Sequence, residues 1–230
     1  MPKNSFKNET ARAVEILDRL RLHLAGRKTH LEREKGKIPS ANEQQTAFRV
    51  LIGTILSHRT RDEKTEIATG ALLAAFSTPR ELAAAPIEKI RELIRPVGFY
   101  NSKAGYVKKC SQELVEKFGG KVPKTMEELT GLTGVGRKTA GCVRAYAFGL
   151  PAIPVDSHCH RISNRLGLVK TGTPEESELE LMKVFPRQRW VEVNELFVLH
   201  GQNTCAPISP FCTQCPLAGI CPKIGVKNSR

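Results

Sequence analysis

The chain has 230 residues, 26% of them charged, and Lys and Arg exceed Asp and Glu by 36 − 23 = 13. That length holds one large or two small domains with a real core, and the basic excess points to a polyanionic partner, nucleic acid ahead of a membrane surface. No apolar run approaches the ~18–20 residues that span a bilayer, and residues 1–7 lack the apolar stretch of a secretory signal. Spanning and exported classes are therefore set aside, and a cytoplasmic, nucleoid-associated location in a prokaryote is expected.

Val14, Leu17, Leu20 and Leu24 recur on one side of an N-terminal helix that Gly26 stops. Residues 27–37 are strongly charged and read as solvated. Ser40-Ala41-Asn42-Glu43 forms a capping box ahead of a helix that is apolar almost all round, with Ala47, Phe48, Val50, Leu51, Ile52, Ile55 and Leu56. Such a helix belongs at the centre of a bundle. It ends at Ser57-His58-Arg59-Thr60-Arg61, and Asp62 caps the next helix, which carries Ile67, Ala71, Leu72 and Ala75. Thr78-Pro79-Arg80-Glu81 starts another, and Pro86 begins a short one with Ile90, Leu93 and Ile94. Pro96-Val97-Gly98-Phe99-Tyr100 is a turn, after which a helix from about Ser102 runs to the Gly119-Gly120 stop. Thr125-Met126-Glu127-Glu128 caps a short helix leading to Leu132. Helices follow over residues 138–148 and after Asp156, Thr173-Pro174-Glu175-Glu176 repeats the cap-Pro-Glu start, and a last long helix covers residues 186–199. With no alternating strand, the fold class is all-α.

Two stretches carry chemistry. In Leu132-Thr133-Gly134-Val135-Gly136-Arg137-Lys138, two glycines allow a tight turn and close approach of backbone N–H groups to an anion. If a helix starts at about Arg137, its N–H groups and positive dipole end face that anion, for which a phosphate is the natural ligand. Lys138 then sits in the first turn, where the dipole disfavours a cation and helps an amine to be neutral and nucleophilic. On local grounds it is also readable as a solvated or phosphate-contacting lysine. Asp156 precedes a helix, so it serves as an N-cap, a role compatible with catalysis. His158 and His160 form an H-x-H that reads as a metal pair or as a polar helix start. The second stretch is C-x₆-C-x₂-C-x₅-C, made by Cys205, Cys212, Cys215 and Cys221. Four thiols within 17 positions surround one metal centre. A disulfide pair and a zinc knuckle compete with that, but only one close C-x₂-C unit is present, which suits an iron–sulfur cluster better than zinc.

Together these features resemble the endonuclease III family of helix-hairpin-helix DNA glycosylases. The resemblance runs from Phe48 to Cys221, with further matches at Leu56-Ser57, Gly98-Phe99-Tyr100-Asn101-Ser102-Lys103-Ala104 and Leu199-His200-Gly201. It implies that Lys138 attacks the sugar C1′ and that Asp156 assists base loss. Gly134, Val135, Gly136 and Arg137 would hold the DNA backbone, and the four cysteines would carry a [4Fe-4S] cluster. Monofunctional relatives lack the lysine, so its presence implies glycosylase and lyase action together, on oxidised pyrimidines of the thymine glycol type. The target base must leave the stack. Arg59 and Phe99 stand in the two loops that fill the gap, where the family commonly has glutamine and leucine. Phe99 also reads as an ordinary core aromatic and Arg59 as a solvated arginine. Thr133 replaces a common proline, which should loosen the turn, and residues 206–211 lack the basic residues that some relatives carry. His158 is placed at the lesion pocket.

The expected architecture is two helical domains with a DNA-binding cleft between them. One spans residues 40–150 and the other joins 1–39 to 151–230, with Lys138 and Asp156 facing each other. The expected partner is double-stranded DNA with damaged bases or abasic sites, bound by a monomer with no membrane contact. A monofunctional mismatch glycosylase and a non-catalytic iron–sulfur DNA-binding protein are the alternatives.

Overall fold

Caps set where the helices of this chain begin. A computed structural model describes residues 3–27 and 42–230. Every regular element among the described residues is helical. In chain order the α-helices are α1 (Lys3–His23), α2 (Glu43–Ser57), α3 (Asp62–Ala75), α4 (Pro79–Ala84), α5 (Ile87–Leu93), α6 (Tyr100–Phe118), α7 (Met126–Thr130), α8 (Arg137–Cys142), α9 (Ser157–Arg165), α10 (Pro174–Val184) and α11 (Trp190–Asn203). A π-helical turn, Val143–Ala147, extends α8, and 3-10 turns cover Arg187–Arg189 and Cys212–Gln214. No described helix is long and apolar enough to cross a membrane.

The chain divides into two compact units, one made of Met1–Arg33 with Pro151–Arg230 and the other of Glu34–Leu150. In the continuous unit α2 is central and buries Ala47, Phe48, Val50, Leu51, Ile52, Ile55 and Leu56. Around it lie Leu72 of α3, Leu82 of α4, Ile90 of α5, and Val107 and Leu114 of α6, all without exposed surface. Cys110 is core; burial, reinforced by Glu113, pushes its thiol up to about 12. In the discontinuous unit Ile16, Leu17 and Leu20 of α1 share one core with Ile162, Leu181 and Phe197. Burying each such side chain contributes roughly 1.5–3 kcal/mol. Phe185 meets Phe197 edge to face at 6.3 Å, and Trp190 donates its indole N–H to the Phe185 carbonyl.

Several expected boundaries move. The Ser40 cap and residues 28–37 of the charged segment lie outside the described residues; the cap seen is Asn42, which accepts from Gln45 N–H while Gln45 accepts from Asn42 N–H. Asp62 is the first residue of α3 rather than its cap, and Arg61 in the cap position makes no side-chain bond. The buried face of α3 is Ala68, Thr69 and Leu72, leaving Ile67 64% exposed. Gly53 of α2 faces Thr69 on that buried side, 3.6 Å from where a Cβ would stand. In α1, Ala13 and Ile16 are buried and Val14 is only half-buried. α6 starts at Tyr100 rather than Ser102, and the last helix runs later than expected, from Trp190 to Asn203.

Thr78 and Thr173 each open a helix with proline in its first turn and a reciprocal bond from Glu81 or Glu176. Such a cap contributes about 1 kcal/mol. The Glu81 carboxylate accepts from Ser77 N–H and Oγ–H and from Thr78 N–H, which holds its pKa below the ordinary value, Ser77 contributing most. A carboxyl with a lowered folded pKa stabilises the fold above its unfolded pKa and loses that effect as pH falls through the folded one. The advantage of the native protein over Glu81→Gln in thermal unfolding will therefore be present at neutral pH and shrink on acidification. A difference that does not change with pH rejects this account.

Candidate active site and cysteine cavity

In the continuous unit, α7 and α8 form a hairpin around Leu132 and Val135, both buried. Gly134 takes φ 79°, and a Cβ there would approach the Tyr106 Cβ to 3.0 Å, so glycine is required for both conformation and space. Gly136 is the N-cap of α8 and offers no side-chain acceptor to the helix's first N–H groups. Those groups form an anion-seeking end, with Arg137 and Lys138 in the turn they open. Thr133 does not loosen the turn, contrary to expectation. Its N–H and hydroxyl donate to the two oxygens of Glu113 at 2.7 and 3.0 Å, fastening the turn to α6 through a carboxylate that is nearly buried.

Lys138 is exposed and lines a cavity with Ser57, His58, Arg59, Phe99 and Tyr106. Burial, then the charges of Lys138 and Lys103, push the His58 imidazole below its ordinary pKa. Arg59 and Phe99 both adopt positive φ, 51° and 57°. For non-glycine residues each such conformation costs about 1–3 kcal/mol and persists only where surroundings enforce it. Phe99 is 63% exposed, so it is not a core aromatic, and the Arg59 guanidinium lies over its ring at 5.9 Å. Sequence reasoning missed Lys103. Its nearly buried ammonium donates to Leu56 O and His58 O, each at 2.6 Å, and to Thr60 Oγ1 at 2.9 Å. No sequence signal identifies those partners, because two of the three are backbone carbonyls.

Asp156 and His158 belong to the other unit. Asp156 caps α9, accepting from Cys159 N–H at 2.8 Å, and remains half-exposed. Arg161 donates to His158 Nδ1 at 3.2 Å. Gly201 leaves room for that imidazole, because a Cβ there would collide with His158 Nδ1. His160 does not pair with His158 as a metal ligand set; its Nδ1 bonds Ser177 Oγ at 2.7 Å and joins α9 to α10.

In the same unit Cys205, Cys212, Cys215 and Cys221 line one cavity with Ile162, Leu166 and Phe211. None of the four is in a disulfide. Among the described residues no three His, Cys, Asp or Glu side chains gather closely enough to hold a single metal ion. A zinc bound at 2.3 Å by four thiolates needs sulfurs about 3.8 Å apart. The four thiols, with apolar side chains beside them, are the donor type that iron–sulfur groups use. Burial pushes the Cys215 thiol up to about 11. Arg165 Nη1 donates to Cys205 Sγ at 3.3 Å and Lys223 N–H to Cys221 Sγ at 3.4 Å, the outer bonds that such sulfurs use. Residues 206–211 lack cations of their own, but Arg165 donates to Ala206 O and Pro207 O at 2.7 Å, and Arg230 lies over the Phe211 ring at 4.2 Å.

A helix-hairpin-helix with a lysine at its exit, joined in one chain to a four-cysteine cavity, defines a class of DNA-repair protein. Residues 52–187 match the family described as HhH-GPD superfamily base excision DNA repair protein. Endonuclease III of Thermotoga maritima is 48% identical over 185 residues, covering 80% of this chain and 87% of that protein. Endonuclease III of Haemophilus influenzae is 35% identical, covering 93% of this chain and 96% of that protein. A solved structure of a trapped endonuclease III–DNA covalent intermediate superposes with a TM-score of 0.74 at 36% identity, covering 84% of this chain and 92% of that one. The chain belongs to the HhH-GPD superfamily and, within it, to the endonuclease III family of DNA glycosylases and AP lyases.

The bond between Thr133 and Glu113 is open to a direct check. Thr133→Val, which removes only the hydroxyl, will lower unfolding stability by about 1.5 kcal/mol. Thr133→Pro, which also removes the N–H donor, will cost about 2–4 kcal/mol by leaving a nearly buried carboxylate short of donors. Denaturant unfolding measures both, and a stabilising proline contradicts the assignment.

Proposed function

We propose that the chain removes oxidised pyrimidines from duplex DNA and cuts the resulting abasic strand, with Lys138 as nucleophile and Asp156 as the assisting carboxylate. The observation that carries this reading is the position of Lys138. It stands exposed in the first turn after the hairpin, in a cavity whose rim holds the Arg59–Phe99 pair. The hairpin of Gly134, Val135, Gly136 and Arg137 holds backbone phosphates without reading sequence. Arg59 and Phe99 meet the bases at the gap left by the extruded nucleotide.

As the glycosidic bond breaks, its electrons leave with the base and positive charge grows on the sugar, which a carboxylate at Asp156 stabilises. The Lys138 amine adds to C1′, and opening of the sugar ring gives a protonated Schiff base. Loss of a C2′ proton then expels the 3′ phosphate, and water releases the lysine. His58 lines the same cavity as Lys138, where an imidazole can relay a proton in these steps. His158, held by Arg161 against Gly201, is assigned to the lesion side of the site.

Cys205, Cys212, Cys215 and Cys221 would hold a [4Fe-4S] cluster. Such a group supplies electron-transfer capacity and a structural anchor; no step above uses it.

Borohydride will trap a covalent complex between this protein and lesion-bearing duplex, and Lys138→Ala will remove the trapped species; trapping that persists in the variant refutes the nucleophile. Protein purified without oxygen will contain about four irons and four sulfides per chain, and Cys215→Ser will reduce both. A full complement of zinc in place of iron overturns the cluster assignment.

A further inference from the structure

Lys103 is an ammonium withdrawn from water with no carboxylate among its bonds: Leu56 O, His58 O and Thr60 Oγ1 take its three protons. Burying a cation among neutral oxygens is a poor way to stabilise a fold, since the lost hydration is only partly replaced. What the three bonds do achieve is geometric. Leu56 O and His58 O lie at the C-terminal end of α2, where a cation is favoured. Holding both fixes the path of the chain through His58, Arg59 and Thr60. Thr60 Oγ1 also accepts from Gly98 N–H at 3.1 Å, so the same ammonium reaches the second loop through one hydroxyl. The loops come so close that a Cβ on Gly98 would meet Arg59 O at 3.0 Å. Directly beyond this junction are Arg59 and Phe99, both at positive φ and stacked on each other at the rim of the cavity that holds Lys138.

We propose that Lys103 is a positioning residue for nucleotide extrusion: it locks the Arg59 loop and the Phe99 loop into one preformed platform, so that duplex DNA meets a wedge already set beside Lys138. The proposal rests on the reading of Lys138 as the nucleophile and of Arg59 and Phe99 as DNA contacts. Lys103 itself touches no reacting atom. Its loss frees two strained loops to relax, and each opening of the duplex must then wait for the platform to reform.

The test compares two substrates. One is a duplex with a single oxidised pyrimidine, which requires extrusion. The other is a single-stranded oligonucleotide with one abasic site, which requires only the lysine chemistry. In Lys103→Met the ratio of duplex to single-strand single-turnover rates is expected to fall at least tenfold. 2-Aminopurine beside the lesion should show a slower or smaller fluorescence rise on mixing. Thr60→Val, which keeps the ammonium but cuts the link to Gly98, should lower the ratio about threefold, and it carries the test if Lys103→Met does not fold. A ratio unchanged in the folded variants, or an equal loss on both substrates, overturns the positioning role. If the native protein cuts neither substrate, the lyase reading itself fails, and the proposal fails with it.

Discussion

The three bonds from the Lys103 ammonium to Leu56 O, His58 O and Thr60 Oγ1 are the constraint on which the cavity rim depends. α2 is apolar nearly all round and must sit at the middle of its unit. Its last carbonyls have no partner within the helix, and Leu56 is buried. Lys103, from α6, answers that need. Lys103 shares that exit with Thr60, whose N–H donates to Ser57 O and whose hydroxyl donates to His58 O, and the left-handed turn at Arg59 and the close approach at Gly98 lie beside it.

The hairpin is governed by a second nearly buried charged group on α6, Glu113, which grips Thr133 as Lys103 grips the Arg59 loop. One helix thus carries two ionisable side chains that reach into two different loops of the cavity region. Tyr106, between them in sequence, fills the space that Gly134 leaves open. α6 is long and regular, and its stiffness is passed to segments that have little regular structure themselves.

Features set by neighbouring residues were legible in the sequence. Thr78-Pro79 and Thr173-Pro174 marked helix starts because a cap needs only its own first turn. The four cysteines and Lys138 were legible by type and spacing. Lys103 was not, because the carbonyls it binds lie 47 and 45 residues earlier and any residue type supplies a carbonyl. Thr133 misled for a related reason: its value lies in Glu113, 20 residues away. Which face of α3 is buried depends on the helices it packs against, and periodicity within α3 does not contain that information. The family resemblance located the loops but said nothing about what holds them.

One unit is built from both ends of the chain, with Glu34–Leu150 inserted between its parts. The partners of Ile16, Leu17 and Leu20, such as Ile162, Leu181 and Phe197, are translated only after that insertion. The inserted 117 residues, 150 − 34 + 1, take roughly 6–23 s to synthesise at about 5–20 residues per second. Until that synthesis ends, the apolar face of α1 lacks those partners, whereas the inserted segment supplies its own unit's core from within. The middle unit is thus fully synthesised before these partners of the first helix exist.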